Sequence, residues 1–247
     1  MASPLRRYGI AALGLFGAFT IAQTYAYAAE PGVDAPRGAP QELEVLPSGH
    51  PVVLVSLDWS APRRFVIDTA ASTTTIMPKL RAELPGLIAK RSEELLSGAA
   101  GQTQVETTTV DRVSVAGRLF RSRELLLLPP GPTDRLGTDG ILGADIIANF
   151  VIEMDMPGRK WRMTEQVEPG LLDGLTASVP FVLDDQRAPR LTIRLNGVEV
   201  PAVLDTGARG TIINWAAAKA IGLAPDSPGV TKASDCLLYT SPSPRDS

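Results

Sequence analysis

One pattern of thirteen residues occurs twice in this chain: FVIDTAASTTTIM at 65–77 and AVLDTGARGTIIN at 202–214. Each copy reads as three apolar residues, Asp-Thr, small residues, and a run rich in Thr or Ile. A short apolar run bounded by turn residues predicts a buried strand. Ending such a strand on a carboxylate is costly unless the charge is paired or hydrogen-bonded. A repeat with so long a period predicts two similar lobes related by a pseudo-twofold axis, with Asp68 and Asp205 in equivalent places.

The residues between the copies predict a β-rich chain. PVVLVSLDW (51–59) and RRFVIDTAAS (63–72) read as two strands joined by a turn at 60–62. Residues 73–77 are β-branched and expected to be extended, and Pro78 opens a short helix through Leu84. Residues 97–120 look like hairpin material, 124–129 like a buried strand, and 140–150 like an apolar turn followed by a short helix. VIEMDM and KWRM form a closing hairpin around PGR. The pattern then restarts at 189 with a strand, a tight Asn-Gly turn and a second strand. A helix follows, capped by Asn214 and stopped by Gly222. The second copy has no counterpart to 98–120 or to 140–163.

A pseudo-twofold axis would bring the two carboxyl groups together. Two carboxylates within hydrogen-bond reach do not both ionise easily, so one keeps a proton and the couple titrates as a unit. The ionised member can accept a proton from water while the protonated member donates to a carbonyl oxygen, a chemistry that needs no metal, Cys or His. The small residues Ala70 and Gly207 let backbone N–H groups approach the carboxylates. The hydroxyls of Thr69 and Thr206 can reach across the axis.

With these residues the chain resembles the retropepsin-like aspartic proteases, in a bacterial two-lobed form. Their acid pair is the standard instance of two carboxyls sharing one proton. The resemblance rests on Asp68-Thr69-Ala70 and on Ile141-Leu142-Gly143, a triplet that in this family packs beneath the catalytic turn and precedes a short helix. It spans about 52–163 in one full copy and 191–223 in a broken one. It implies an all-β fold: a closed β-barrel lobe, duplicated, with the second lobe truncated. It implies an aspartic endopeptidase using Asp68 and Asp205, supported by Thr69, Ala70, Thr206 and Gly207. It also implies a flap over the substrate near 98–104, with Gly98 and Gly101 at its turn. Ala70 stands where this family usually has Gly, which would strain a turn requiring positive φ. Arg209 follows the second Asp closely and is expected to depress the pKa of Asp205 and keep it ionised. Two alternatives remain open: a catalytically inactive peptide-binding module, and a homodimer in which only the first Asp motif works.

The expected organisation is a signal peptide at 1–28, a flexible leader at 29–40, a first lobe at 41–165, a linker at 166–178 and a truncated second lobe at 179–235. The first segment carries Arg6 and Arg7, an apolar run at 9–22 and a small-residue cleavage site, which predicts export to a bacterial periplasm or beyond. An uncleaved anchor is the rival reading. CLLYTSPSPRD at 236–246 resembles a translated sequencing adaptor, so 236–247 is expected to be foreign and the only Cys with it. The net charge of −3 and the lack of a dense basic run argue against nucleic acid as a partner. No phosphate-binding loop, Gly-x-Ser-x-Gly or His/Cys cluster is present, so no cofactor and no metal are expected. The expected partner is a polypeptide substrate, with no membrane contact once the signal is cut. The lobes form an intramolecular pseudo-dimer, and a homodimer is possible. His50, Asp139, Asp145, Asp184, Asp185, Trp161 and Trp215 are read as packing, pairing or solvated residues.

The repeat makes its own forecast. In an uninterrupted reading frame from the source DNA, a second apolar–apolar–Gly triplet is expected roughly seventy residues past Asp205; a frame with none there removes the two-lobed reading.

Overall fold

The computed structural model describes residues 37–58, 60–84, 86–98 and 101–230. The expected signal segment, most of the expected leader, Trp59 and the 236–247 stretch lie outside them. Among the described residues, fourteen strands and three short helices make a mostly β chain. In order these are β1 (Gln41–Glu42), β2 (Glu44–Val45), β3 (Pro51–Leu57), β4 (Arg63–Ile67), β5 (Thr75–Ile76), α1 (Pro78–Glu83), β6 (Lys90–Gly98), β7 (Gly101–Val115) and β8 (Arg118–Leu127). There follow β9 (Gly140–Leu142), α2 (Ala144–Ile147), β10 (Val151–Asp155), β11 (Lys160–Thr164), β12 (Val182–Leu183), β13 (Pro189–Leu195), β14 (Val198–Val203) and α3 (Trp215–Ala220).

Six of these strands close on themselves. The order β3-β4-β9-β5-β8-β7 returns to β3, with β4–β9 and β5–β8 parallel and the other pairings antiparallel. Closure leaves the barrel no free edge. Its interior holds Val53, Val55, Phe65, Ile67, Ile76, Leu125, Leu127 and Leu142, all buried. Strands β1, β11 and β10 form a separate sheet that adds Ile152, Met154, Trp161 and Met163 to the same core.

Local chemistry explains the corners. Pro78 starts α1 at a position where its missing N–H is no loss. Ala116 and Gly117 turn β7 into β8, and Asn196 and Gly197 turn β13 into β14; both pairs have positive φ, as two-residue hairpin turns require. Asn214 caps α3 by accepting from Ala217 N–H at 2.8 Å, and Gly222 leaves the helix at φ +81°. Two expectations are corrected. Residues 140–142 are a central barrel strand rather than a turn. The hairpin expected at 97–120 begins earlier, at Lys90, with Gly98 opposite Gly101.

Glycine is required where strands meet the Asp turn. A methyl group on Gly140 would lie 2.3 Å from the Phe65 ring and 2.4 Å from the Thr75 carbonyl oxygen. A methyl on Gly143 would lie 2.7 to 2.9 Å from backbone atoms of Thr73 and Ala71.

Among the described residues the second copy has fewer strands than the first. β12, β13 and β14 form a three-stranded sheet, and β14 leads into Asp205 as β4 leads into Asp68. Beyond that the copies diverge. Ile76 is fully buried between β8 and β9, whereas its counterpart Ile213 is 39 % exposed, and the preceding Ile212 is 69 % exposed. Among the described residues no strand stands where β8 and β9 would. Trp215, expected to pack, is 58 % exposed for the same reason. Trp161 is buried as expected.

Gly140→Ala is expected to destabilise the fold by about 1–3 kcal/mol, since the new methyl meets backbone and a rigid ring. Gly86, with nothing within 4 Å of the same position, is the control and is expected to shift stability by less than about 0.5 kcal/mol as Ala. Chemical denaturation of the two variants reads the difference.

Candidate active site

The two Asp turns meet at one seam, and hydroxyls hold them there. Thr69 Oγ1 donates to the Leu204 carbonyl at 2.6 Å and accepts from Thr206 N–H at 3.1 Å. Thr206 Oγ1 donates to the Ile67 carbonyl at 2.7 Å and accepts from Thr69 N–H at 3.1 Å. Each threonine thus ties itself to the strand end that carries the other copy's Asp. The reach across the axis expected of these hydroxyls is present in both directions.

Within each turn, backbone N–H groups face the carboxylate. Asp68 Oδ1 accepts from Ala70 N–H at 2.8 Å and Ala71 N–H at 3.0 Å. Asp205 Oδ1 accepts from Gly207 N–H at 2.8 Å. The two carboxyls lie close enough across the seam to act on each other's ionisation. Gly207 packs hard against the opposite carboxyl: a methyl there would sit 2.2 Å from Asp68 Oδ2. Ala70, its counterpart, is buried, and its φ is not positive. The strain expected at Ala70 is therefore absent, because this turn does not need the left-handed conformation.

Burial dominates the electrostatics. Asp68 is almost wholly buried, and that burial, with the adjacent Asp205 charge second, raises its pKa from 3.8 to about 7; the N–H groups of Ala70 and Ala71 oppose the shift. Asp205 is also pushed up, first by burial, against the N–H groups of Gly207 and Ala208. The expectation that Arg209 depresses Asp205 is overturned. Arg209 is exposed, and the net shift of Asp205 is upward.

The Ile-Leu-Gly triplet lies beneath the turn, as expected. Leu142 pairs with Ile67, its carbonyl accepts from Asp68 N–H at 3.0 Å, and Ala144 N–H donates to the Ala71 carbonyl at 2.7 Å. Thr74 ties the layers together: its hydroxyl accepts from Gly143 N–H at 3.1 Å and donates to Asp145 at 2.7 Å. Asp145 also accepts from Thr74 N–H at 2.8 Å, so it is a brace. Asp139 pairs with Lys79 at 3.1 Å rather than with Arg, and accepts from Arg64 N–H at 2.9 Å. Asp184 accepts from Gln186 N–H and Ala188 N–H at 2.9 Å and from Arg190 at 2.7 Å, an ordered turn rather than a solvated group. Gly98 and Gly101 close the β6–β7 hairpin; residues 99 and 100 at its tip lie outside the described residues.

Sequence reasoning set His50 aside, yet the structure buries it at 3 % exposure.

A family model described as Aspartyl protease matches residues 53–146 and 191–237, more than half of the chain. Among solved structures, the EIAV protease in complex with the inhibitor HBY-793 matches at 21 % identity and a TM-score of 0.32, over 40 % of this chain and 85 % of that one. A retropepsin-like aspartic protease from Rickettsia conorii matches at 17 % identity and a TM-score of 0.37, over 51 % of this chain and 89 % of that one. No curated protein matches.

The raised Asp68 makes a stability forecast with a definite sign. Its folded-state pKa, about 7, lies above the unfolded value. Its contribution is therefore fully present below about pH 4 and lost as pH rises through about 7. Asp68→Asn, which cannot ionise, is expected to match the parent in melting temperature near pH 4 and to exceed it near pH 8. Equal melting curves at both pH values would show that Asp68 is not held protonated.

Proposed function

The chain belongs to the aspartyl protease family, and from that premise we propose that it is an aspartic endopeptidase in which Asp68 and Asp205 activate a water. The observation that carries this reading is the pair itself: two Asp turns tied into one seam by reciprocal threonine bonds, with both carboxyls pushed upward by burial. One carboxylate takes a proton from water, and the water oxygen bonds to the peptide carbonyl carbon. The other carboxyl gives its proton to the carbonyl oxygen. Collapse of the tetrahedral species returns that proton, breaks the C–N bond and protonates the leaving nitrogen from the first carboxyl. No covalent enzyme intermediate forms.

The substrate in this reading is an extended polypeptide. It lies between the seam and the β6–β7 hairpin, which acts as the flap with Gly98 and Gly101 at its turn, and pairs with it as an added strand. The reciprocal threonine bonds within one chain favour an intramolecular pair over a homodimer. The exposure of Ile212, Ile213 and Trp215 supports a second lobe that needs more strands than 179–235 supplies. Export, as the 1–28 segment suggests, belongs to the same proposal.

Two outcomes test it. Asp68→Asn and Asp205→Asn are each expected to lower hydrolysis of an unfolded polypeptide by about 10²–10⁴-fold with folding retained. Turnover that survives Asp205→Asn points to a homodimer of first copies, and a parent that binds peptide without cutting it points to a binding module. Because Asp68 keeps its proton up to about pH 7, kcat/KM is expected to fall as pH rises beyond that value; a rate that climbs through pH 7 to 9 contradicts a shared proton.

A further inference from the structure

A cavity of about 320 Å³ opens at the root of the β6–β7 hairpin, with Thr73, Lys90, Arg91, Thr107, Glu124 and Leu126 in its lining. Register explains where it sits. Ile141 on β9 pairs with Thr75 on β5, and Thr75 with Leu126 on β8. Leu126 pairs in turn with Thr107 on β7, and Thr107 with Lys90 on β6. Residues paired across neighbouring strands share a face. These five side chains therefore form one row, on the face opposite the barrel core that Ile76 and Leu127 fill. The row begins at the support of the acid pair: Ile141 clusters with Ala71, whose N–H donates to Asp68 Oδ1 at 3.0 Å. Leu126 lies two strand spacings from Ile141, about 10 Å.

The lining is charged and its polar groups are unspent. Lys90 and Arg91 are exposed, and neither side chain has an ion-pair or hydrogen-bond partner among the described residues. Arg91 stands opposite Glu106, but that carboxylate is taken by Arg81 at 2.7 Å. Thr107 is 6 % exposed, and its hydroxyl has no partner among the described residues either. Pairing of β6 is irregular between Arg91 and Leu95, where the Gln104 side-chain amide donates to the Ser92 carbonyl. Such an irregularity re-aims the side chains beside it. Among the lining residues the one carboxylate is Glu124, exposed and opposite Thr109. Two cations against one carboxylate leave the cavity positive.

We propose that this cavity selects an acidic side chain of the polypeptide substrate, with Lys90 and Arg91 as specificity-determining residues and the Thr107 hydroxyl donating to the incoming carboxylate. This rests on the function proposed above and deepens it by naming the substrate class: peptides that carry Glu or Asp near the scissile bond. An extended peptide brings a side chain to one face every ~7 Å. A cavity about 10 Å along the sheet from Ile141 is then served by a residue roughly two to four positions from the cut.

The test is binding of peptides whose central bond is a reduced, uncleavable CH2–NH link. Each carries Glu, Gln or Lys at one position, from the second to the fourth residue on either side. At one of these positions the parent is expected to bind the Glu peptide about three- to fivefold more tightly than the Gln peptide, the upper part of what exposed charges give. The Lys peptide binds more weakly than either. Raising the salt from about 0.05 to about 0.5 M shrinks the ratio toward one. Lys90→Met with Arg91→Met abolishes the preference, Lys90→Glu with Arg91→Glu reverses it, and Glu124→Gln widens it. A parent that does not tell Glu from Gln at any position overturns the proposal, and the parent alone yields that result should a variant not fold. So does a preference for Lys, since Glu124 then governs the cavity, or a preference for Glu that survives the double substitution. A peptide set that does not bind at all overturns it too. Failure of the peptidase reading is separate: the matching cleavable peptides stay uncut while the charge preference in binding remains.

Discussion

The site depends on two threonine hydroxyls, each of which both donates to and accepts from the backbone of the other copy. Thr69 and Thr206 each use their one donor and one acceptor lone pair to lock the ends of β4 and β14 together. Everything nearby follows from that lock. The carboxyls meet because their strands are held end to end, and Gly207 is glycine because the opposing carboxyl leaves no room for a methyl. The layer below exists to hold the strand ends still: Leu142 receives Asp68 N–H, and the Thr74–Asp145 couple braces the return of the chain.

The energetics of the seam balance two opposing demands. A carboxylate in a dry place is unfavourable, and two side by side are worse. The backbone N–H groups of both turns favour charge, while burial and the neighbour oppose it. On the function proposed above, the compromise is one proton between two groups. A barrel closed on six strands keeps that compromise rigid, since it has no edge to fray.

Much of this was legible in the residues. The repeat pointed to Asp68 and Asp205 together because the same turn chemistry was written twice. Asn214, Gly222, Pro78 and the Asn-Gly hairpin marked ends and turns by rules that act within a few residues. Nonlocal facts were harder. Residues 140–142 read as a turn because a three-residue strand buried on both sides has no alternation to detect. The fifteen-residue strand β7 escaped because its Thr and charged residues resemble surface, although it crosses from hairpin to barrel. Ala70 seemed strained by analogy with glycine, and only the backbone angle resolved it. Arg209 lay close to Asp205 in sequence, yet the fold leaves its side chain exposed.

The reciprocal lock also ties the seam to the order of the chain. Every strand of the barrel, β3 to β9, precedes β14 in sequence. Thr69 has its Leu204 and Thr206 partners only once β14 has docked. On the function proposed above, the acid pair is therefore assembled last.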